Sequence, residues 1–240
     1  MIFNLFKSKP TLKELIPEGF VDIHSHVLPG IDDGAKDVED SLKLISEMKK
    51  IGFSKIIGTP HIYPGLYNNS LGTISKAFGK IKNIEPNVSF AAEYFLDESL
   101  IKLSKRKEII CLKDNYILIE MSFINLMNHF QEIIFQLIIN GYTPILAHPE
   151  RYLYLNEKIS ILKKLKKMGC KFQINLLSTV DYYGEDVNKL SDKLYQNDLI
   201  DFVGTDIHNQ DQINKFNEKI LIRSVSGLEK SIENTLKTFG

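Results

Sequence analysis

About seven times along its 240 residues the chain repeats one rhythm: a short apolar run, then a chemically reactive residue, then helical spacing. The apolar runs fall at 20–23, 55–58, 88–92, 116–119, 143–147, 171–174 and 201–203, and each reads as a strand. Amphipathic stretches between and after them predict helices at 38–51, 70–82, 128–140, 159–168, 185–196, 209–221 and 227–238. The first helix is the best marked. Leu42, Ile45, Met48 and Ile51 form one stripe, Asp37 stands at the capping position and Gly52 at the stop. Strands alternating with helices imply βα units and a mostly parallel sheet. That many units in one α/β domain favour a closed, TIM-like barrel over an open doubly wound sheet, and no GxGxxG follows the first strand.

The reactive residues share one position in this rhythm. His24 and His26 follow the first strand, His61 the second, Glu93 the third, Glu120 the fourth and His148 the fifth, while Asp206 and His208 follow the last. In a βα barrel the C-terminal ends of the strands form the face where active sites are built, so residues scattered in sequence converge in space. Residues i and i+2 of an extended segment point to the same side, so His24 and His26 can grip one ion. Asp206 and His208 have the same spacing and can reach two neighbouring ions. Imidazole and carboxylate without thiolate suit Mn²⁺, Fe²⁺ or Zn²⁺. A lone histidine such as His61 or His148 is more often structural than a ligand, and a carboxylate at a strand end is usually solvated. Five of six histidines at strand ends is nonetheless hard to attribute to packing. The sixth, His129, starts a predicted helix and is expected to be structural or exposed.

Composition excludes more than it selects. Thirty basic and thirty acidic residues cancel, so no net field recruits nucleic acid or an anionic membrane. Cys111 and Cys170 form no CxxC pair, and Ile117 and Leu176 stand where a thiol-based phosphatase would carry arginine. The opening MIFNLFKSKP is interrupted by Asn4 and Lys7 and lacks a small-residue cleavage site, and no run of about 18 apolar residues exists elsewhere. The expectation is a cytoplasmic protein with no membrane span. Nothing in the sequence specifies an oligomeric state.

Six segments taken together carry a resemblance: FVDIHSHVLPGIDDGAKD, IIGTPHIYPG, AAEYFLD, ILIEMS, PILAHPERY and DFVGTDIHN. In this order they resemble the bacterial tyrosine phosphatases of the PHP superfamily (polymerase and histidinol phosphatase), in the capsule and exopolysaccharide group of CpsB/YwqE (CapC) type. The resemblance spans residues 19–240 and leaves 1–18 as an N-terminal extension. It implies a distorted seven-stranded βα barrel, the PHP fold, holding three divalent ions, manganese in the family's usual assignment. It also implies the ligand sets: His24, His26, Glu93 and Asp206 for a first ion; Glu93 as a bridge with Glu120 and His148 for a second; Asp33, His61 and His208 for a third. Asp32 is the alternative to Asp33, because adjacent carboxylates cannot be separated by sequence. Arg151 matches the family's phosphate-binding arginine, with an ordinary surface pair to Glu150 as the alternative reading.

Three ions and four carboxylates leave residual positive charge, which suits a phosphate dianion and attack by a metal-bridging hydroxide without a phosphoenzyme. The implied substrate is phosphotyrosine on the C-terminal tail of a capsule-assembly tyrosine kinase. Alternatives are a small phosphate such as histidinol phosphate on the same site, or a non-catalytic scaffold at such a kinase. The loop at 63–69, beside His61, either shapes the phosphotyrosine pocket or is only an exposed turn, and it is followed by no arginine or lysine before Lys76. Asn175 is expected to orient a neighbouring group in the site.

Overall fold

The computed structural model describes residues 9–240. The opening residues 1–8, read above as part of a segment without a cleavage site, lie outside the described residues. The strands are β1 (Phe20–Ser25), β2 (Phe53–Gly58), β3 (His61–Ile62), β4 (Val88–Phe90), β5 (Glu93–Phe95), β6 (Tyr116–Glu120), β7 (Thr143–Ala147), β8 (Lys171–Asn175) and β9 (Phe202–Gly204). All pair in parallel, in the orders β1-β2-β4 and β3-β5-β6-β7-β8-β9. The protein is thus an α/β fold of parallel strands joined by helical crossovers.

The division between the two sheets is narrow. β2 and β3 are separated only by Thr59 and Pro60, and β4 and β5 only by Ala91 and Ala92. Across those breaks Ala91 N donates to Gly58 O (2.9 Å) and Glu93 N to Pro60 O (3.1 Å). At the far edge Asp206 N donates to His24 O (2.7 Å) and His26 N to Ile207 O (2.9 Å). The chain after β9 therefore lies against the end of β1. Asp22, fully buried in β1, fastens the same junction by accepting from Thr205 N (3.0 Å) and Thr205 Oγ1 (2.7 Å).

The helices are α1 (Leu12–Leu15), α2 (Val38–Ile51), α3 (Leu71–Gly79), α4 (Glu98–Arg106), α5 (Phe130–Ile139), α6 (Ile159–Met168), α7 (Glu185–Gln196), α8 (Gln210–Asn214) and α9 (Val225–Phe239). In α2, Asp37 accepts from Asp40 N at the start and Gly52 ends the helix at φ 131°, as the sequence implies. Its Leu44, Ile45 and Met48 are fully buried in the larger apolar core, which lies between strands and helices. A smaller cluster including Val21, Ile23, Leu118, Ile145 and Phe202 is closed by Phe239 of α9. The Phe239 ring packs on Tyr116 (5.4 Å) and Phe202 (5.2 Å), the first residues of their strands, so the cluster is stoppered at the end opposite the reactive residues.

The strand expected at 88–92 is divided into β4 and β5, and two helical regions also depart from the sequence reading. The helix expected at 209–221 is only α8, a short 3₁₀ turn at Lys215–Asn217 and then non-helical chain. Pairing with the N-terminal segment overrides helical propensity there: Leu12 N donates to Glu218 O and Ile220 N to Pro10 O. Conversely, α4 is a helix that the apolar spacing did not reveal. Its signals are local: Asp97 caps it by accepting from Ser99 N, Lys105 and Arg106 fill its last turn, and Lys107 ends it in a left-handed conformation. Among the described residues no helix is long and apolar enough to cross a membrane.

Candidate metal centre

His24, His26, Glu120, His148, Asp206 and His208 lie at or just beyond the C-terminal end of a strand, whereas His61 and Glu93 follow the breaks after β2 and β4 and are the first residues of β3 and β5; all of them converge. His24, His26, Glu93 and Asp206 form one group of potential ligand atoms; His26, Asp33, His61 and His208 form a second; His61, Glu93 and Glu120 form a third. The backbone helps to aim them. His148 (φ 36°) and Asp206 (φ 55°) both follow their strands in left-handed conformations that non-glycine residues seldom adopt.

The first group has the spacing of a coordination shell. His24 Nε2 lies 3.2 Å from Glu93 Oε2 and 3.3 Å from Asp206 Oδ1, and His26 Nε2 lies 3.4 Å and 3.3 Å from the same two oxygens. The two imidazole Nε2 atoms are 3.4 Å apart. Ligands about 2.1 Å from a common ion stand about 3.0–3.4 Å from one another, depending on geometry. All four residues are buried, and Glu93 Oε2 has no hydrogen-bond partner despite its near neighbours. A buried carboxylate oxygen pointing at nitrogen atoms without bonding to them is costly, unless a cation sits between. The donor set fits a divalent metal.

Around this group the second and third are less symmetric. His61 Nδ1 lies 3.0 Å from Glu120 Oε1 and 3.2 Å from Glu93 Oε2, while its Nε2 lies 3.6 Å from Asp33 Oδ1. His208 Nε2 is 3.5 Å from the same Asp33 oxygen. A neutral imidazole has one lone pair, so His61 serves one side at a time. His148 Nε2 meets the other oxygen of Glu93, Oε1, at 3.0 Å and lies outside the three groups. Its Nδ1 is buried without a partner.

Asp32 and Asp33 have different surroundings. Asp32 Oδ2 lies 2.7 Å from His26 Nδ1, and its Oδ1 accepts from Gly34 N, so it orients the imidazole from behind. Asp33 is the one that faces His61 and His208. His129 is exposed on the surface, 3.7 Å from Glu132, away from all of this.

Arg151 is not paired with Glu150. Its Nη1 donates to Asp206 Oδ2 at 2.9 Å, and its guanidinium carbon lies 4.5 Å from the ring centres of both Phe123 and Tyr183. Glu150 turns the other way, buried, and accepts from Asn175 N and Ser178 Oγ. Asn175 Nδ2 donates to Asp206 Oδ2 at 2.7 Å, so this one oxygen holds Asn175 and Arg151 while Oδ1 faces the histidines. Sequence reasoning missed the aromatic clamp and Gln173, whose Oε1 is 2.8 Å from His24 Nδ1. The available signal for Gln173 was a pair of polar residues at i and i+2 within an apolar strand.

The electrostatics suit a cation-binding site. Burial pulls the His24 imidazole down, but Glu93 and Asp206 outweigh it and hold it up at about 9 in the metal-free chain. Burial also opposes ionisation of Glu93 and Asp206, yet the surrounding histidines keep both well below the usual carboxylate range. His148 is pushed down to about 4 by burial, leaving a neutral imidazole at physiological pH. Beside the centre a cavity of about 260 Å³ is lined by Asp33, His61 and Glu120 at one end and by Tyr67, Met121 and Phe123 among its apolar walls.

The family described as "Capsular polysaccharide synthesis, CpsB/CapC" matches residues 20–220. Tyrosine-protein phosphatase YwqE of Bacillus subtilis is 31% identical over 196 residues, covering 79% of this chain and 77% of that protein. Tyrosine-protein phosphatase CpsB of Streptococcus pneumoniae is 32% identical over 204 residues, covering 80% and 84%. A crystal structure from work on those two proteins, described as unique metal-dependent tyrosine phosphatases, superposes with a TM-score of 0.74 at 30% identity, covering 92% of this chain and 87% of that one. The histidinol phosphate phosphatase of Lactococcus lactis shares the fold, with a TM-score of 0.51 at 14% identity over 82% of this chain and 90% of that one. The chain belongs to the CpsB/CapC family of capsular polysaccharide synthesis.

Proposed function

We propose that this protein is a metal-dependent protein-tyrosine phosphatase acting in the control of capsule or exopolysaccharide synthesis. The observation that carries the reading is the carboxylate of Asp206, which presents one oxygen to His24 and His26 and the other to Arg151. Such an arrangement sets a phosphate-binding guanidinium at a fixed distance from a cation site. Bound divalent ions supply the charge that offsets a phosphate dianion and the acidity that makes water a nucleophile near neutral pH.

The chain's own residues do the rest. Arg151 is held between the rings of Phe123 and Tyr183 and keeps donors beyond Nη1 for phosphoryl oxygens, so its fork is preorganised for charge developing there. The apolar cavity beside Glu120 suits an aryl group, whose phenolate of pKa about 10 is a moderate leaving group. That lining favours phosphotyrosine over a small polar phosphate ester.

We read the ligand sets as His24, His26, Glu93 and Asp206; Glu93, Glu120 and His148; and Asp33, His61 and His208. This gives three ions, taken as Mn²⁺ with Fe²⁺ or Zn²⁺ compatible with the same donors. We also read the two sheets as one distorted seven-stranded barrel, with β2 and β3 counted as one interrupted strand and β4 and β5 as another, on the strength of the hydrogen bonds that bridge Gly58 to Ala91 and β1 to Asp206 and Ile207. The phosphatase unit is taken as 19–240, braced by the extension through Leu12. The partner is read as the phosphotyrosine tail of a capsule-assembly kinase in the cytoplasm.

A substrate panel tests the function. Phosphate release from a phosphotyrosine peptide, exceeding that from a phosphoserine peptide and from histidinol phosphate, is the expected result. Preference for histidinol phosphate would keep the site but move the function to metabolism.

A further inference from the structure

We infer that Gln173 is a positioning residue that fixes the tautomer of His24 and the orientation of Asp206 through one directional hydrogen-bond relay. The inference rests on the reading of the centre as a metal site, but it concerns residues that reach no ion themselves.

The relay has three links, all buried. Asn175 Nδ2 donates to Asp206 Oδ2 at 2.7 Å, Gln173 Nε2 donates to Asn175 Oδ1 at 3.0 Å, and Gln173 Oε1 lies 2.8 Å from His24 Nδ1. Amide orientations and histidine tautomers are ordinarily ambiguous, because each group can be turned around. Here the end of the relay removes the ambiguity. An ionised carboxylate only accepts, so Asn175 must present its amino group to Asp206. Its carbonyl oxygen then faces Gln173, which must answer with its own amino group. The Gln173 carbonyl oxygen is left facing His24, so His24 Nδ1 must carry a proton, and in the neutral ring that a cation requires, Nε2 is the atom that offers the lone pair. That Nε2 is the atom 3.2 Å from Glu93 and 3.3 Å from Asp206.

The relay therefore ties two members of one ligand group to each other from behind. It also ties them to Arg151, which shares Asp206 Oδ2. Packing keeps the relay in register. Gly204 of β9 lies so close that a Cβ there would fall 2.7 Å from His24 Cβ and 3.0 Å from Gln173 Cδ. Only a glycine lets these two side chains stack against the neighbouring strand.

Two measurements test this without reference to catalysis. In the diamagnetic Zn²⁺-loaded wild-type protein, nitrogen-15 NMR of His24 should show a protonated Nδ1 and a metal-bound Nε2. Chelator competition with Zn²⁺ should show one ion bound about 10–100-fold more weakly in Gln173→Met, with the remaining ions unaffected. Gln173→Glu separates positioning from packing. It keeps an acceptor for His24, so the tautomer signature should survive, but it turns Asn175 around and affinity should still fall. Three results would overturn the inference: a proton on His24 Nε2 in the Zn²⁺-loaded wild-type protein, metal affinity of Gln173→Met within about twofold of wild type, or identical changes of tautomer signal and affinity in both variants. A wild-type protein that binds no ion would overturn the metal reading together with this one.

Discussion

Arg151 and Asp206 meet through a single oxygen: Nη1 of the arginine donates to Oδ2 of the carboxylate at 2.9 Å, and Oδ1 of the same carboxylate faces His24 and His26 at 3.3 Å. On the proposed reading phosphate binding and cation binding are coupled at one side chain, yet the coupling is not obligatory, because Asn175 also holds Oδ2. Arg151→Ala should therefore lower kcat/KM by about 10²–10³-fold, as for loss of one preorganised donor, with bound metal unchanged. Arg151→Lys should not rescue it, since an ammonium supplies neither the planar fork nor the stacking between Phe123 and Tyr183. Elemental analysis alongside steady-state kinetics checks both, and loss of metal in Arg151→Ala would assign the arginine a structural role.

The pH dependence has a definite sign. With its imidazole held at about 9, above the ordinary value of 6.5, protonated His24 stabilises the metal-free protein fully below pH 6.5, and that contribution is lost as pH rises through 9. A metal must displace that proton, so its affinity moves oppositely and strengthens over the same window. The rise in Tm on adding Mn²⁺ should grow between pH 6.5 and pH 9, and metal uptake at pH 7 should release protons. A Tm increment that shrinks with rising pH would contradict this.

Glu93 faces more of the clustered histidines than any other carboxylate of the centre, with Oε2 near His24, His26 and His61 and Oε1 on His148. Glu93→Gln should abolish the stabilisation by metal, which for the wild type amounts to about 2.7 kcal/mol at a free metal concentration of about 100 Kd. Thermal unfolding with and without Mn²⁺ measures it. A Glu93→Gln protein that still gains the wild-type increment would remove Glu93 from the centre.

Gly34 makes a prediction about stability. A Cβ at this position would lie 2.0 Å from the His26 carbonyl oxygen, which already accepts from Ala35 N. The close approach lets the turn deliver Asp32 to His26 Nδ1. Gly34→Ala should cost about 1–3 kcal/mol through overpacking, measured by urea unfolding of the metal-free protein.

How much of this was legible in the sequence follows from the range of each signal. His24, His61, Glu93, Glu120, His148 and Asp206 stood out because each ends or follows an apolar run, and strand ends are a property of local pattern. Asp32 and Asp33 could not be told apart, since only the path of the turn past Gly34 decides which one reaches His26. Arg151 was visible, but its clamp was not. Phe123 and Tyr183 come from different loops, and nothing local links them to it. Gln173 was hidden for the opposite reason, because polar residues at i and i+2 of a strand ordinarily mean only a solvated face. The overextended helix at 209–221 reflects tertiary pairing with residues 10–12, which no window of sequence contains.

The most direct test of the account is phosphate release from a phosphotyrosine peptide by chelator-stripped protein, with Mn²⁺, Zn²⁺ or no metal added back and His148→Ala in parallel. The account predicts no activity without metal, restoration by at least one of the two ions, and loss in His148→Ala. Full activity in the stripped protein, or none with either metal when the ions are demonstrably bound, would contradict it.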